Sequence, residues 1–174
     1  MALKRKSWIG YLIALAVIVV AAVAGGIMAK ADPQTWDSAA DIRWYVPTND
    51  TFKIKTAAEL AGVAKLVNEG TVNGLSGKIL EITDNLNLSA YQWVPIGTAE
   101  HPFRGTLITE GGLMKKINGL NVVANRSYQG LVGNMQGGTV GGLIFESGTI
   151  SVTGVTYDVY AGSAVGKMSG SSIV

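Results

Sequence analysis

The chain of 174 residues is 48% hydrophobic, only 15% charged and contains 23 glycines, so it is neither a disordered polymer nor an ordinary helical bundle. Its length fits one domain, and this much glycine indicates many turns. It has no cysteine, which excludes disulfides and, together with a single histidine, a transition-metal site built from Cys and His ligands.

Residues 1–31 have the composition of an export segment, because a basic start is followed by no further charge until Lys30. Small residues precede the first acid, which favours a signal peptide cleaved between Ala31 and Asp32. The alternative is an uncleaved membrane anchor, since the uncharged stretch 7–29 is long enough to span a bilayer. Both predictions place the remainder of the chain outside the cytoplasm, secreted or at the cell surface.

The positive net charge belongs to that same segment. The whole chain has a formal charge of +2, but four of its fourteen Lys and Arg lie in residues 1–31. The remainder therefore carries ten basic against twelve acidic residues, a net charge of −2. Because no basic stripe interleaved with aromatic residues remains, we do not expect nucleic acid as a partner.

Residues 32–50 lack a sustained period and contain two prolines, which is typical of a leader or linker. We expect Trp36, Trp44 and Tyr45 to lie on the body of the domain. Three N-glycosylation sequons occur in the chain, but chance explains them better than glycosylation in so Asn-rich a sequence. They begin at Asn49, Asn87 and Asn125.

The folded domain is predicted to span residues 51–174, opening with a short strand and then a helix over about 56–69. Thr56 and Glu59 have the spacing of a capping box, in which each side chain satisfies a free amide at the helix start. Gly70 is the expected C-cap. We expect this helix to cover the open end of the sheet that follows, since an unprotected end exposes strand edges.

From Gly77 onward the hydrophobic period changes from helical to two, which predicts mainly strands. Residues 93–105 interrupt this pattern as a loop with an aromatic residue at each end, Trp93 and Phe103. The loop contains His101, the only histidine of the chain.

One glycine-rich phrase occurs twice near the C-terminus: YQGLVGNMQGGTV, from Tyr128 to Val140, returns as YAGSAVGKMSGSSIV, from Tyr160 to Val174. Short strands separated by glycines at recurring offsets cannot each bury a face alone, but they can when stacked. The glycines expected at the corners of such a stack are Gly130, Gly133, Gly137, Gly138, Gly142, Gly162, Gly166 and Gly170.

This pattern predicts a mostly β fold, a right-handed parallel β-solenoid, with a β-sandwich as the alternative. The repeat units are expected at about 117–139 and 140–174, the second one incomplete. Parallel stacking aligns like residues, so we expect inward ladders of Leu120 with Leu143 and of Met135 with Met168. Val132 is a further core candidate.

The same phrases resemble the GLUG repeat of bacterial surface and secreted proteins. The matching pieces are Gly130 to Gly133, Gly137 to Val140 and the following Gly142-Leu143. The lead-in is similar as well, with a Phe-x-Ile strand, a Thr-Ala-x-Glu-Leu helix, a Trp-x-Pro-Ile-Gly loop, Phe-x-Gly and Ile-x-Gly-Leu. Two departures are Thr109 to Gly112 in place of an Asp-Gly turn, and one extra residue between Gly162 and Gly166. The resemblance covers about residues 50–174 and implies a β-helix-like module without catalytic residues.

No catalytic constellation is expected. His101 has the neighbours of a turn rather than of a poised base. The acidic residues have no spacing that marks a glycosidase pair, and a calcium site at Asp84, Asn85 and Asn87 conflicts with the alternating leucines of a strand. We therefore predict no cofactor and no metal. The acidic residues considered are Asp84, Glu110, Glu146 and Asp158.

The leading functional hypothesis is a non-enzymatic exported module with a structural or adhesion role, binding components of the cell envelope, the matrix or a host surface. The first alternative is the N-terminal, non-catalytic portion of a larger secreted enzyme, either a peptidase or a polysaccharide-cleaving enzyme. The second is a fibre subunit that associates head-to-tail through the open edge of its last coil.

Overall fold

A computed structural model describes residues 34–123 and 126–174. The predicted export segment, with Ala31 and Asp32 at its cleavage point, lies outside the described residues, and so does the sequon residue Asn125. The helical elements are one α-helix, α1 (Ala57–Asn68), and three short 3-10 helices, Trp36–Ala39, Asn73–Leu75 and Glu110–Gly112. The strands are β1 (Thr51–Ile54), β2 (Ile79–Ile82), β3 (Leu86–Asn87), β4 (Thr106–Thr109), β5 (Lys115–Val123), β6 (Tyr128–Gln129), β7 (Val132–Gln136), β8 (Thr139–Val140), β9 (Leu143–Ser151), β10 (Tyr160–Ala161), β11 (Val165–Ser169) and β12 (Ser172–Ile173).

The strands form parallel sheets, as predicted for a mostly β chain. The largest sheet has five strands in the order β1-β2-β4-β8-β12, and a second has the order β3-β5-β9. Two smaller sheets pair β6 with β10 and β7 with β11. Each strand in the described part of the chain pairs with its neighbours in parallel. Within residues 34–123 and 126–174, no helix is both long and apolar enough to cross a bilayer.

The α-helix begins and ends as predicted. The Thr56 side chain accepts a hydrogen bond from the backbone N–H of Glu59, and the Glu59 carboxylate accepts one from the N–H of Thr56, so both halves of the capping box are present. Gly70 follows the helix with φ +74°, the left-handed conformation expected just beyond a helix end. The buried face of the helix joins the hydrophobic core, for example through Leu60 and Val63.

Residues 34–50 pack onto the domain, as expected. Trp36 is buried and donates its indole N–H to the Leu88 carbonyl oxygen at 2.9 Å. The rings of Trp44 and Tyr45 pack against Phe52 of β1, at centroid distances of 5.2 and 5.4 Å. The β1 side of the five-stranded sheet is therefore occupied by aromatic residues of the chain itself.

The five-stranded sheet aligns one apolar residue from each of its strands. Their order is Phe52, Leu80, Leu107, Val140 and Ile173. The first four are 4% exposed or less, whereas the last is 53% exposed. The interior of the domain is thus closed at β1 and open at β12.

The register corrects one predicted ladder and confirms the other. Leu120 pairs with Gly148, and Leu143 pairs with Lys115, so the predicted Leu120–Leu143 ladder is wrong. Met135 does pair with Met168, but only Met135 is buried, because Met168 lies on the last strand of its sheet and is 46% exposed.

A spacing of 33 residues relates the strands β4, β8 and β12 of the five-stranded sheet, whereas β5–β9 and β6–β10 pair at shorter offsets. Thr106, Thr139 and Ser172 occupy equivalent positions on β4, β8 and β12, and the hydroxyls of the last two lie 3.1 Å apart across a sequence separation of 33. Each strand of the five-stranded sheet begins one pass of the chain around the domain, in the order β1, β2, β4, β8 and β12. Residues 106–138, which begin with β4, are therefore called the third pass, and residues 139–171, which begin with β8, the fourth pass. These passes differ from the predicted units, 117–139 and 140–174. The units are predicted from matching apolar phrases around Leu120 and Leu143, but the strands do not pair these two residues with each other.

The extra residue in the second copy of the glycine phrase is confirmed by the pairing. Tyr128 is aligned with Tyr160, while Val132 is aligned with Val165, so the interval between these two pairs is longer by one residue in the fourth pass. The insertion therefore lies in the turn between β10 and β11, where it leaves the strand alignment on either side intact.

Candidate functional site

His101 has a structural environment rather than that of a catalytic base. Its Nδ1 lies 2.9 Å from the Asn68 carbonyl oxygen, and its backbone N–H donates to Thr98 Oγ1 at 3.0 Å. The ring also covers Gly70, where an added Cβ would lie 2.5 Å from Nε2. These contacts hold the 93–105 loop on the C-terminal end of α1.

Two of the acidic residues named above, Glu110 and Glu146, form separate ion pairs. Glu110 binds Lys53 at 2.7 Å, and Glu146 binds Lys116 at 2.7 Å. Hydrogen bonding and charge from Lys53 hold the pKa of Glu110 below its ordinary value, and the same carboxylate, with Glu81, raises the pKa of Lys53. The Lys116–Glu146 pair links the neighbouring strands β5 and β9, and the Lys53–Glu110 pair links β1 to the 3-10 helix that follows β4. Both pairs lie at the surface, where each contributes little stability.

The side-chain oxygens that would bind calcium already accept hydrogen bonds within the chain. Asn85 Oδ1 accepts the N–H of Lys116, and Asn87 Oδ1 accepts the N–H of Ser89. Asp84 accepts the Thr83 hydroxyl. Within the described residues, no group of three or more His, Cys, Asp or Glu side chains is placed to hold a metal ion.

The predicted structural glycines act in two ways. Gly137 and Gly170 lie at equivalent positions after β7 and β11 and have φ values of +71° and +57°. An added Cβ at either position would have no other atom within 4 Å. Gly130 instead leaves no room, because an added Cβ would lie 2.2 Å from the Gly162 carbonyl oxygen of the next pass. A positive φ is also found at Gly142 and, at +154°, at Gly130. The other predicted glycines, which approach neighbouring backbone closely, are Gly133, Gly138, Gly162 and Gly166.

A surface groove lies between the 93–105 loop and the strands of the third and fourth passes. It consists of two adjoining cavities of about 290 and 240 Å³ that share Ala99 and Tyr128 in their walls. Tyr157 and Arg126 line the first cavity, and Asn134, Gln136 and Lys167 line the second. We call this feature the tyrosine groove.

The centre of the tyrosine groove is an aromatic and cationic cluster. The rings of Tyr128 and Tyr160 pack at a centroid distance of 5.7 Å and an interplanar angle of 35°. The Lys167 ammonium lies over both rings, 5.3 Å from the centroid of Tyr128 and 5.2 Å from that of Tyr160. Such cation–π contacts hold a charged group in place without neutralising it.

Strand stacking positions these side chains. Tyr160 is aligned with Tyr128, and Lys167 is aligned with Asn134. Asn134 in turn donates from Nδ2 to the Thr98 carbonyl oxygen at 2.7 Å, which fixes the loop that forms the opposite wall.

The 93–105 loop is also anchored to the third pass of the chain. The indole N–H of Trp93 donates to the Leu131 carbonyl oxygen at 2.9 Å, and Phe103 forms a parallel bridge with Met135. Both predicted aromatic anchors are buried, Trp93 at 2% exposed and Phe103 at 0%. The groove is therefore held by a rigid base.

A separate cavity, of about 430 Å³, lies outside the tyrosine groove, at the open side of the domain. Its lining includes Leu120, Phe145, Ile150 and Ser163. It is the part of the interior that the strands of the fourth pass leave uncovered, and its described lining offers no charged group.

Sequence reasoning missed the tyrosine groove. Its residues come from segments as far apart as Pro95 and Ser169, which only the stacking of passes brings together. The repeated phrase did hold a signal, because the tyrosine that opens each copy and the residue pair Asn134 and Lys167 occupy matching places in it.

Comparison of the chain with protein-family models, with curated proteins and with solved structures finds no match.

Proposed function

We propose that residues 51–174 form a right-handed parallel β-solenoid of the GLUG type. Three observations support this: parallel pairing throughout the described strands, an equal spacing of 33 residues from β4 to β8 and from β8 to β12, and an apolar ladder that crosses five strands. The alternative β-sandwich is disfavoured, because sandwiches are built from antiparallel sheets.

We propose that the protein is an exported, non-enzymatic module of the cell surface or extracellular space, with a structural or adhesion role. The observation that carries this proposal is the tyrosine groove, which offers aromatic faces, amides and cations on a rigid base. Its described lining contains no Asp, Glu or His, the residues that a hydrolytic site would use as acid and base. The groove is therefore equipped to bind rather than to cleave. The hydrophobic segment of residues 7–29 supports export.

The fibre alternative has less support. Head-to-tail stacking requires an open face at both ends of the domain. The aromatic rings of Trp44 and Tyr45 already pack on Phe52 at the β1 side. The larger-enzyme alternative places the chemistry in another part of a longer protein, and it is compatible with a binding groove here.

The proposal is tested by incubating the purified protein with intact bacterial cells, isolated cell-wall material and extracellular matrix, and then quantifying the bound fraction. We expect saturable binding to at least one of these surfaces and no release of soluble fragments from it. Heat-unfolded protein serves as the control for non-specific adsorption. Binding no greater than that of the control would contradict an adhesion role, and steady release of reducing ends or peptides would contradict a non-enzymatic one.

A further inference from the structure

We infer that the tyrosine groove binds an anionic glycan, a polymer of sugars that carry carboxylates such as uronic acids. This inference rests on the proposed adhesion function and names the ligand class of the same site. It combines two requirements: a flat apolar surface for the sugar ring and a positive charge for its carboxylate.

The tyrosines supply the flat surface. An aromatic side chain presents an apolar face and a polar edge, which suits a sugar ring whose C–H groups lie on one face and whose hydroxyls point outward. Tyr128 lies where the two cavities meet, and Tyr160, stacked beside it, is 42% exposed. Tyr157, which is 48% exposed, lines the same groove. Tyr128 and Tyr157 thus line the groove, and Tyr160 packs against Tyr128.

Lys167 supplies the charge. Four other lysines each form a salt bridge with a carboxylate. Within residues 34–123 and 126–174, Lys167 forms no salt bridge, as is also true of Lys55 and Lys115, but its ammonium lies over two tyrosine rings. Its positive charge is therefore held in a fixed place without a counter-ion from the described part of the chain. The ion-paired lysines are Lys53, Lys65, Lys78 and Lys116.

The charged residues in the described lining of the groove are all positive. Arg126 lines the first cavity and Lys167 the second, and no carboxylate lies in the described lining of either. Glu100 and Asp158 are exposed next to lining residues in the sequence but do not line the groove themselves. A ligand that spans both cavities meets one cation in each, which suits a polymer with a repeating negative charge.

The shape also favours a polymer. Each cavity alone is smaller than a usual small-molecule site, and only the two together reach the common range of about 300–1,000 Å³. Because they adjoin at Ala99 and Tyr128, one ligand can contact the lining of both cavities. Successive sugars of one chain fill such a groove better than one compact molecule does.

Single-stranded nucleic acid also uses aromatic stacking and cations, so it is the main competing ligand. Its affinity depends on a continuous basic track along the backbone. Residues 32–174 have a net charge of −2, and the described lining of the groove contains two cations, Arg126 and Lys167. The structure therefore favours the glycan.

The test measures binding of the full-length protein to oligogalacturonate by calorimetry. Fully methyl-esterified oligogalacturonate, which keeps the sugar rings and loses the charge, is the first comparison, and oligo-dT is the second. We expect the acid to bind about a hundredfold more tightly than the ester, about tenfold for the charge-assisted hydrogen bond to each of the two cations. Equal affinity for the acid and the ester, or tighter binding of oligo-dT, would overturn the inference.

Variants assign the binding to the groove. Lys167→Gln is expected to weaken binding of the acid by about tenfold and to leave the ester unchanged. Tyr128→Leu, which keeps apolar bulk but loses the aromatic face, is expected to weaken both. The matched control is Lys116→Gln, which removes a lysine charge paired with Glu146 in another sheet and is expected to leave both affinities unchanged. Unchanged binding by a folded Lys167→Gln variant would overturn the inference even if Tyr128→Leu does not fold.

Cell binding separates this inference from the proposed function. If the protein binds cells but not oligogalacturonate, the adhesion proposal stands and the anionic-glycan inference fails. If it binds neither cells nor the glycan, both fail.

Discussion

At the scale of single residues, Gly130 and Gly137 belong to the same repeated phrase and both have a positive φ, +154° and +71°, but they differ in the space around them. Gly137 lies in an open turn, so a side chain there meets only backbone strain. At Gly130 the chain of the next pass also leaves no space for a Cβ. An alanine at Gly130 therefore adds the cost of a collision to the cost of conformation.

We predict that Gly137→Ala lowers the free energy of unfolding by about 1 kcal/mol, the cost of a left-handed alanine. Gly130→Ala adds a contact of 2.2 Å with the Gly162 carbonyl oxygen and is expected to cost about 3 kcal/mol. Urea unfolding followed by circular dichroism measures both. Equal losses would show that the stacking distance between passes at this point is not fixed by Gly130.

Glu110 gives a pH-dependent prediction. Its bond to Lys53 holds the pKa of this carboxyl below the ordinary value of 4.5. The stabilisation is therefore complete above that value and is lost as the pH falls through the lower pKa of the folded protein. We predict that Glu110→Gln lowers stability slightly at pH 7 and that this difference is smaller at pH 3.

Urea unfolding of the wild type and of Glu110→Gln at both pH values measures this effect. Glu100→Gln is the control, because Glu100 is exposed and forms no salt bridge within the described residues. A loss from Glu110→Gln that is the same at pH 3 and pH 7 would assign the effect to packing instead of the ion pair.

At the scale of elements, the α-helix was predictable because its determinants are local. Thr56 and Glu59 are three residues apart and satisfy each other's amides without help from the rest of the fold. The register of the strands was not predictable in the same way. Leu120 and Leu143 share an apolar pattern, but the length of the intervening connection, not the pattern, decides which residue faces which.

The apolar ladder of the five-stranded sheet gives an element-scale prediction. Leu107 is fully buried between Leu80 and Val140, so Leu107→Ala leaves a cavity and is expected to cost about 3 kcal/mol. Ile173 occupies the same position on β12 but is 53% exposed, and Ile173→Ala is expected to cost about 1 kcal/mol or less. Urea unfolding compares the two. A loss at Ile173 as large as that at Leu107 would mean that β12 is covered in solution.

At the scale of the whole molecule, the tyrosine groove is a product of stacking. Tyr128 and Lys167 are far apart in the sequence, and they meet because the fourth pass lies directly beside the third. The sequence alone predicted that passes stack, but not which side chains share one face. That requires the register, which pairs Tyr128 with Tyr160 and absorbs the extra residue before Val165 pairs with Val132.

The same stacking predicts a gradient of local stability across the domain. The inner strand of the β7–β11 pair has Met135 fully buried, whereas the outer strand has Met168 at 46% exposed. β11 and β12 have a described backbone partner on one side only, whereas β7 also bridges Ile96 and Phe103 and β8 also pairs with β4. Fewer contacts must therefore break before the amides of the outer strands meet water. We predict that amides of β11 and β12 exchange with deuterium at least about tenfold faster than those at equivalent positions of β7 and β8.

Hydrogen exchange followed by mass spectrometry measures this gradient on peptides that cover each strand. Comparison of β7 with β11 is well controlled, because the two strands occupy equivalent positions and both lie next to a glycine turn, at Gly137 and Gly170. If all four strands exchange at one rate, the domain opens as a single cooperative unit and the outer strands are no less stable locally than the inner ones. If β11 and β12 exchange first, the Lys167 side of the tyrosine groove is its more mobile wall, and a bound ligand that bridges Tyr128 and Lys167 slows exchange there most.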